Sequence, residues 1–299
     1  MSFNTAPRAV VLLLTALTLS ACAGHPSHAF ARAATPGQPS TSPSAPPSPL
    51  AGTPSPTAKP NPKSLEWYLA RVPTFPVAPS PQPVELPAGD AAPFWGHVPT
   101  DQKVAFITID DGALARPADV PDFIREAHIP VTMFLNSPAA TEYTDYFKRI
   151  EAAGGVVENH TISHPSLRGR SYEYQHHEIC GSADKLAQLF GKRPAVFRPP
   201  FGEYDQTTKQ VAHACGAKVL VNWTETVNEG IVRYQTPTKV VQPGDVLLMH
   251  FRPALMDDLL GALKAIHRAG LTPALLTDYI PGLSRATDPP ADGDLPPRR

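Results

Sequence analysis

Asp110 and Asp111 stand side by side in Phe-Ile-Thr-Ile-Asp-Asp-Gly, where the apolar run from Val104 to Ile109 meets Gly112. Two carboxylates at the end of a strand-like segment either cap a turn or hold a cation and a proton. Three downstream segments favour the second use. His160 and His164 share the segment HTISHP, Arg198 opens Arg-Pro-Pro-Phe-Gly, and His250 closes Leu-Leu-Met-His, each just after an apolar strand-like run. One turn of chain can aim both imidazoles at a single point. With one of the two carboxylates they form an Asp-His-His set, three protein ligands with room for water, which is the pattern of a catalytic and not a structural metal site. Zinc is the default ion, and the ligand types narrow the choice among divalent metals without closing it.

A divalent ion held there would lower the pKa of its water toward about 7 and polarise a carbonyl oxygen. The second aspartate can then accept a proton and His250 can donate one to a leaving group. A guanidinium at Arg198 paired with Asp110 would fix the carboxylate and favour its ionised form. Pro199 and Pro200 have no N–H, so Phe201 offers the first backbone donor after the arginine, a candidate oxyanion contact. His176 and His177 lie in a polar helical stretch and are expected to be solvated.

These groups need a scaffold that brings strand ends together. After Pro99 the chain alternates strand-like runs (104–109, 131–135, 156–157, 195–198, 218–223, 245–250 and 274–280) with helix-like ones (118–127, 137–153, 171–190, 205–214 and 255–269). Ser137-Pro138 supplies a helix start, and Gly154-Gly155, Gly191 and Gly270 supply stops. This order predicts a parallel barrel or open α/β sheet with its catalytic residues gathered at strand C-termini.

The 299 residues suffice for one domain of about 200 residues with accessories. With 26 basic and 27 acidic residues and a net charge of -1, the totals offer no basic face for nucleic acid. Arg8 followed by the apolar run Ala9 to Leu19 reads as an export signal, too short for a membrane span of about 20 residues. It ends in Leu19-Ser20-Ala21-Cys22, similar to the lipobox of bacterial lipoproteins, which would make residues 1–21 a signal peptide and Cys22 the lipidated residue. Residues 22–63 then form a Pro/Ser/Thr-rich tether, with ten prolines from Pro36 to Pro62, extended in polyproline-like conformations. Residues 64–102 are expected to be an extension docked on the main domain, with one or two helical turns at Leu65 to Leu69. The main domain spans 103–282, and the Pro- and Asp-rich tail over 283–299 is expected to be disordered. Cys180 and Cys215 remain as an even pair, open to a disulfide or to two buried thiols on neighbouring helices.

TIDDG, HTISHP, RPPFG and LLMH, in that order, resemble four of the five motifs of the NodB-like polysaccharide deacetylases, carbohydrate esterase family 4. The resemblance covers about Lys103 to Ile280. It implies a distorted parallel (β/α) barrel that hydrolyses an acetamide or acetate ester on a polysaccharide. It further implies that Asp110 is the general base, that Asp111, His160 and His164 bind the metal, that Arg198 steers the base and that His250 is the general acid. Phe201 would take a groove position usually held by tyrosine, with Pro199, Pro200 and Trp223 also lining the substrate groove. The fifth motif departs. Where the family has an Asp-Trp whose aspartate partners the acid histidine, this chain has Val221-Asn222-Trp223-Thr224-Glu225-Thr226. Either Glu225 substitutes or His250 has no carboxylate partner, and an unpartnered histidine is a less available acid near neutrality.

The expected function is therefore metal-dependent removal of N-acetyl groups from an N-acetylglucosamine-containing cell-wall or chitin-like glycan. The expected place is the outer face of the cell membrane, reached through the lipid anchor alone. An O-acetyl esterase acting on a glycan such as xylan and a non-catalytic glycan-binding lipoprotein are the alternatives. Oligomeric state is left open.

Overall fold

Strand β2 carries the Asp-Asp pair, and the rest of the sheet is built outward from it. The computed structural model describes residues 59–283. The expected signal segment, Cys22, most of the tether and nearly all of the tail lie outside them. In chain order the first elements are α1 (Leu65–Leu69), β1 (Phe94–Trp95), β2 (Val104–Asp111), α2 (Val120–Glu126) and β3 (Val131–Leu135). Next come α3 (Ser137–Glu142), α4 (Thr144–Ala152), β4 (Val156–Asn159), α5 (Tyr172–Phe190), β5 (Val196–Phe197) and α6 (Gln206–Ala214). The chain continues through β6 (Val219–Val221), β7 (Glu225–Asn228), β8 (Ile231–Tyr234), β9 (Val246–His250), α7 (Leu255–Arg268) and β10 (Thr272–Ala274).

The sheet runs β1-β6-β5-β4-β3-β2-β9-β7-β8, with β10 pairing the first residues of β2. Every pairing is parallel except β7 with β8. The order has two ends, so the expected barrel is an open half-barrel of mixed α/β type. From Val104 to Asp110 every residue of β2 is buried, as a parallel strand covered on both faces should be, which is why its sequence is a continuous apolar run and not an alternating one. Ile107, Ile109, Met133 and Met249 pack on one side against Phe123 of α2 and Leu259 of α7; Phe106 and Phe134 face the other side with Tyr279.

The extension enters this scaffold directly. Tyr68 of α1 is buried in the core and its hydroxyl donates to Asp257 at 2.8 Å. Phe94 and Trp95 pair with Leu220 and Val221, adding an edge strand that the sequence pattern left unassigned. Cys180 and Cys215 are joined as a disulfide with Cα atoms 5.0 Å apart, tying α5 to the C-terminal end of α6. The exposed His176 lies within reach of both sulfurs, but they are already bonded to each other and offer no thiolate to a metal.

Two local expectations are corrected, and one hairpin is added. The helix foreseen over 137–153 breaks at Tyr143 (φ -118°, ψ 32°). The Thr141 and Thr144 hydroxyls bond back to the carbonyls of Ser137 and Ala140, and the Tyr143 ring stacks on Arg116 at 3.8 Å. The last strand is only Thr272–Ala274, and the following apolar run Leu276–Tyr279 is a 3-10 turn, because a short buried run has no period to distinguish the two. Residues 225–234 form a hairpin whose turn, Glu229-Gly230, has positive φ at both positions (54° and 75°), matching the twist of a tight hairpin.

Candidate active site

The strand registers bring the chemistry to one rim. Asp110 is the cross-strand partner of His250 on β9 and of Phe134 on β3; Leu135 pairs with Asn159, and Asn159 with Phe197. The residues just past those ends are His160 and Arg198. Asp110, Asp111, His160, Arg198 and His250 thus share the C-terminal edge of the sheet. Gly112 lets the chain leave β2 there, since its φ is 112° and a Cβ would come within 2.7 Å of Phe147.

Arg198 is fully buried inside the half-barrel and spends its donors on four acceptors. Nη1 donates to Asp110 Oδ1 at 2.7 Å and Thr108 Oγ1 at 2.8 Å, Nε to the Val221 carbonyl at 3.1 Å, and Nη2 to the Asn222 carbonyl at 2.9 Å. The guanidinium lies over the Phe134 ring at 4.1 Å. A fork held at this many points can only present Asp110 in one orientation. The second oxygen of Asp110 is left facing His160, 3.7 Å from Nε2.

His160 Nδ1 lies 2.8 Å from the Arg198 carbonyl. A carbonyl only accepts, so Nδ1 carries the proton and Nε2 is a bare lone pair. Burial also pushes His160 below its ordinary pKa, against the pull of Asp110 and Asp111, so the ring is neutral. That lone pair points at Asp111 Oδ1, 3.6 Å away, and His164 Nε2 is 3.5 Å from the same oxygen. These separations are too long for hydrogen bonds. They match ligands gathered around a cation at about 2.0–2.2 Å, which stand about 3.4 Å apart in a tetrahedron. The ligand atoms of Asp111, His160 and His164 all lie within 4.8 Å of one another. The residues present therefore fit a divalent ion.

The backbone is bent to achieve this. Asp111, Thr161, His164 and Phe201 all have positive φ (74°, 71°, 58° and 60°), a conformation that non-glycine residues hold only when their surroundings force it. The surroundings are visible. The Thr161 hydroxyl accepts from the His164 N–H at 3.0 Å, and Asn136 Nδ2 donates to the His160 carbonyl at 2.7 Å. On the other side Arg116 Nη1 donates to the Gly112 and Leu114 carbonyls, pinning the loop after Asp111.

Phe201 is 63% exposed, with its ring edge-on to His164 at 4.6 Å. Pro199 and Pro200 are buried beneath it. Trp223 sits 5.8 Å from the Arg198 guanidinium, and a Cβ on Gly202 would meet its ring at 3.2 Å, so Gly202 allows the Phe201 turn and Trp223 to approach. Its buried Nε1 has no hydrogen-bond partner among the described residues.

Glu225 does not serve His250. It pairs in register with Leu247, three residues before His250 on the parallel β9, or about 10 Å along the strand. Its Oε2 accepts from Thr224 at 2.6 Å, and it lies beside Asp245 at the opposite end of the sheet. His250 has no carboxylate partner among the described residues, which settles the two possibilities raised by the missing aspartate. Burial, with Asp245 adding repulsion, pushes Glu225 up to about 8, and burial pushes Glu158 up to about 8 as well. Each then keeps in the folded state a proton that the unfolded chain releases near its ordinary value of 4.5. Stability should be highest below that value and should fall as pH rises toward 8. Urea unfolding of the full chain is expected to give a higher midpoint at about pH 5.5 than at about pH 8.5. Glu158→Gln, which keeps an acceptor for the Ala195 and Val196 N–H groups, should flatten the difference.

Glu178, Asn136, Arg116 and Glu158 escape sequence reasoning, since none stands in a motif. Only Glu178 leaves a trace, an acid on the inward stripe of α5 formed by Gln175, Ile179, Ser182 and Leu186.

Residues 97–220 match the family model described as Polysaccharide deacetylase. An uncharacterized protein of Streptomyces coelicolor is 42% identical over 156 residues, covering 52% of this chain and 62% of that protein. A peptidoglycan-N-acetylglucosamine deacetylase of Bacillus cereus is 29% identical over 176 residues, covering 57% of this chain and 63% of that one. The chain thus spans about three fifths of the length of these relatives. Among solved structures, a family 4 carbohydrate esterase from Streptomyces lividans in complex with acetate superposes with a TM-score of 0.51 at 22% identity, covering 59% of this chain and 94% of that one. A matched family model over residues 97–220, the strands that carry the Asp-Asp, His-His and Arg-Pro-Pro groups, and a half-barrel shared with a family 4 carbohydrate esterase lead to one conclusion: over that stretch this chain is similar to the polysaccharide deacetylases and has the fold of the family 4 carbohydrate esterases.

Proposed function

We propose that the protein is a metal-dependent hydrolase that removes N-acetyl groups from a glycan built on N-acetylglucosamine. The observation that carries this reading is the meeting of a buried Asp110–Arg198 pair with three convergent ligands, Asp111, His160 and His164, at one rim. A divalent ion at those three ligands, zinc by ligand type, supplies the Lewis acidity that activates water and polarises the acyl oxygen. Asp110 takes the proton of the attacking water, and Arg198 holds its carboxylate toward the ligand set. His250, across the strand pair from Asp110, gives a proton to the departing nitrogen. Phe201 and Trp223 border the acyl group, with Pro199 and Pro200 shaping the turn. Amide and water become free amine and acetate.

One observation favours a second reading. Because His250 lacks a carboxylate partner among the described residues, an O-acetyl ester, whose alkoxide needs less help from an acid than an amine does, fits the same site. Acetate release by the full chain from N-acetylglucosamine oligomers, peptidoglycan and acetylated xylan separates them. Fastest release from the amides supports deacetylation, fastest release from xylan supports the esterase, and glycan binding with no release supports a binding protein.

The lipobox-like Leu19-Ser20-Ala21-Cys22 supports placement on the outer face of the cell membrane by a lipid on Cys22. Cys22→Ser is expected to move the protein from the membrane fraction to the soluble one; unchanged fractionation would remove the anchor from the account.

A further inference from the structure

The loop carrying both histidines is gripped from behind by helix α5. Glu178 Oε2 accepts from the Ile162 N–H at 3.0 Å and the Ser163 N–H at 2.9 Å, and its Oε1 accepts from the Ser163 hydroxyl at 2.7 Å. The next residue continues the hold: the Ile179 carbonyl accepts from Asn159 Nδ2 at 2.9 Å, and Asn159 Oδ1 accepts from the Thr161 N–H at 3.0 Å. One turn on, Gly181 lacks the Cβ that would come within 2.9 Å of Ile162 Cδ1, so the loop sits close against the helix.

Glu178 is 4% exposed, so water does not compete for its donors. The loop requires such support. Thr161 and His164 flank the gripped residues and both hold positive φ, 71° and 58°, a conformation that non-glycine residues keep only when their surroundings force it. The orientation of His164 relative to His160 is set by the three residues between them, and two of those are the ones Glu178 binds.

We infer that Glu178 is a positioning residue for the His160–His164 pair: without touching either imidazole, its carboxylate fixes the loop geometry that sets the affinity for the divalent ion. This rests on reading Asp111, His160 and His164 as the metal set. A glutamine can keep all three contacts, because one oxygen takes both N–H groups and its NH2 can donate to the Ser163 oxygen. An alanine keeps none of the three: the Ser163 N–H loses its acceptor, and the Ile162 N–H is left with only the backbone carbonyl of residue 178, 3.2 Å away. Partners behind metal ligands commonly set affinity by about 10- to 100-fold.

The test is competition for Zn2+ alone between the full chain and a chromophoric chelator. Glu178→Ala should weaken zinc binding by about 10- to 100-fold, with Glu178→Gln close to wild type. Leu186→Ala, which opens the core under the same helix away from the loop, should lower the unfolding midpoint and leave zinc affinity unchanged. If Glu178→Ala does not fold, Glu178→Asp, which withdraws the carboxylate by one methylene, should show the same weakening. Wild-type affinity in Glu178→Ala, affinity in Glu178→Gln as poor as in Glu178→Ala, or equal weakening in Leu186→Ala would overturn the positioning role alone. A wild-type chain that binds no zinc, or His164→Ala that binds as tightly as wild type, would overturn the metal set and this inference with it.

Discussion

Asp110→Asn is expected to lower kcat for acetate release by about 10²- to 10⁴-fold, the usual contribution of a positioned general base, while zinc still binds. Asparagine has the same shape and its oxygen can still accept from Arg198 Nη1, so the side chain should stay in place. What it cannot do is take a proton. The three converging ligand atoms belong to Asp111, His160 and His164, and none of them is altered. Kinetics with the best acetylated substrate, alongside zinc stoichiometry, checks both halves. Retained turnover would hand the base to another group, Asp111 first, and loss of zinc would make Asp110 a ligand.

Arg198→Met should cost about 3–5 kcal/mol of folding stability and abolish turnover as well, because it breaks a buried ion pair from one side. Methionine fills similar space against Phe134 but supplies no donor. Asp110, 2% exposed, is left without its counter-charge, and the Val221 and Asn222 carbonyls lose their partner. Arg198→Lys should recover little, since one ammonium cannot span a carboxylate, a hydroxyl and two carbonyls on two strands or their ends. Urea unfolding measures the loss, and a cost below about 1 kcal/mol would show that the guanidinium is dispensable to the fold.

The place of the candidate site was legible because the chain marks it in local terms. Each of β2, β4, β5 and β9 begins as an apolar run and leads to a polar residue of catalytic type at its end or just past it, and parallel strands joined by helices must bring such ends to one edge. Asp110, Asp111, His160, Arg198 and His250 are placed there by the registers, and His164 follows in the loop beyond β4. The supports were not legible, since they depend on approach between distant segments. Glu178 meets Ile162 and Ser163 only after α5 folds back over the β4 end, and Arg116 meets Tyr143 at the break in the helix expected over 137–153. Glu225 shows the reverse case. Its place near Trp223 in sequence suggested a partner for His250, but each residue along a strand advances about 3.3 Å, and the register sets it against Leu247. The hairpin over 225–234 was missed for a related reason: its outer strand, Ile231–Tyr234, is only four residues long and exposed at alternate positions, with only Glu229-Gly230 to mark the turn.

The measurement that tests the central claim most directly is acetate release by the full chain from N-acetylglucosamine oligomers, before chelation, after chelation and after zinc is returned. Release that chelator abolishes and zinc restores, and that His164→Ala never shows, is the predicted result. Release that continues undiminished after the metal has been stripped would contradict a hydrolytic centre built on Asp111, His160 and His164.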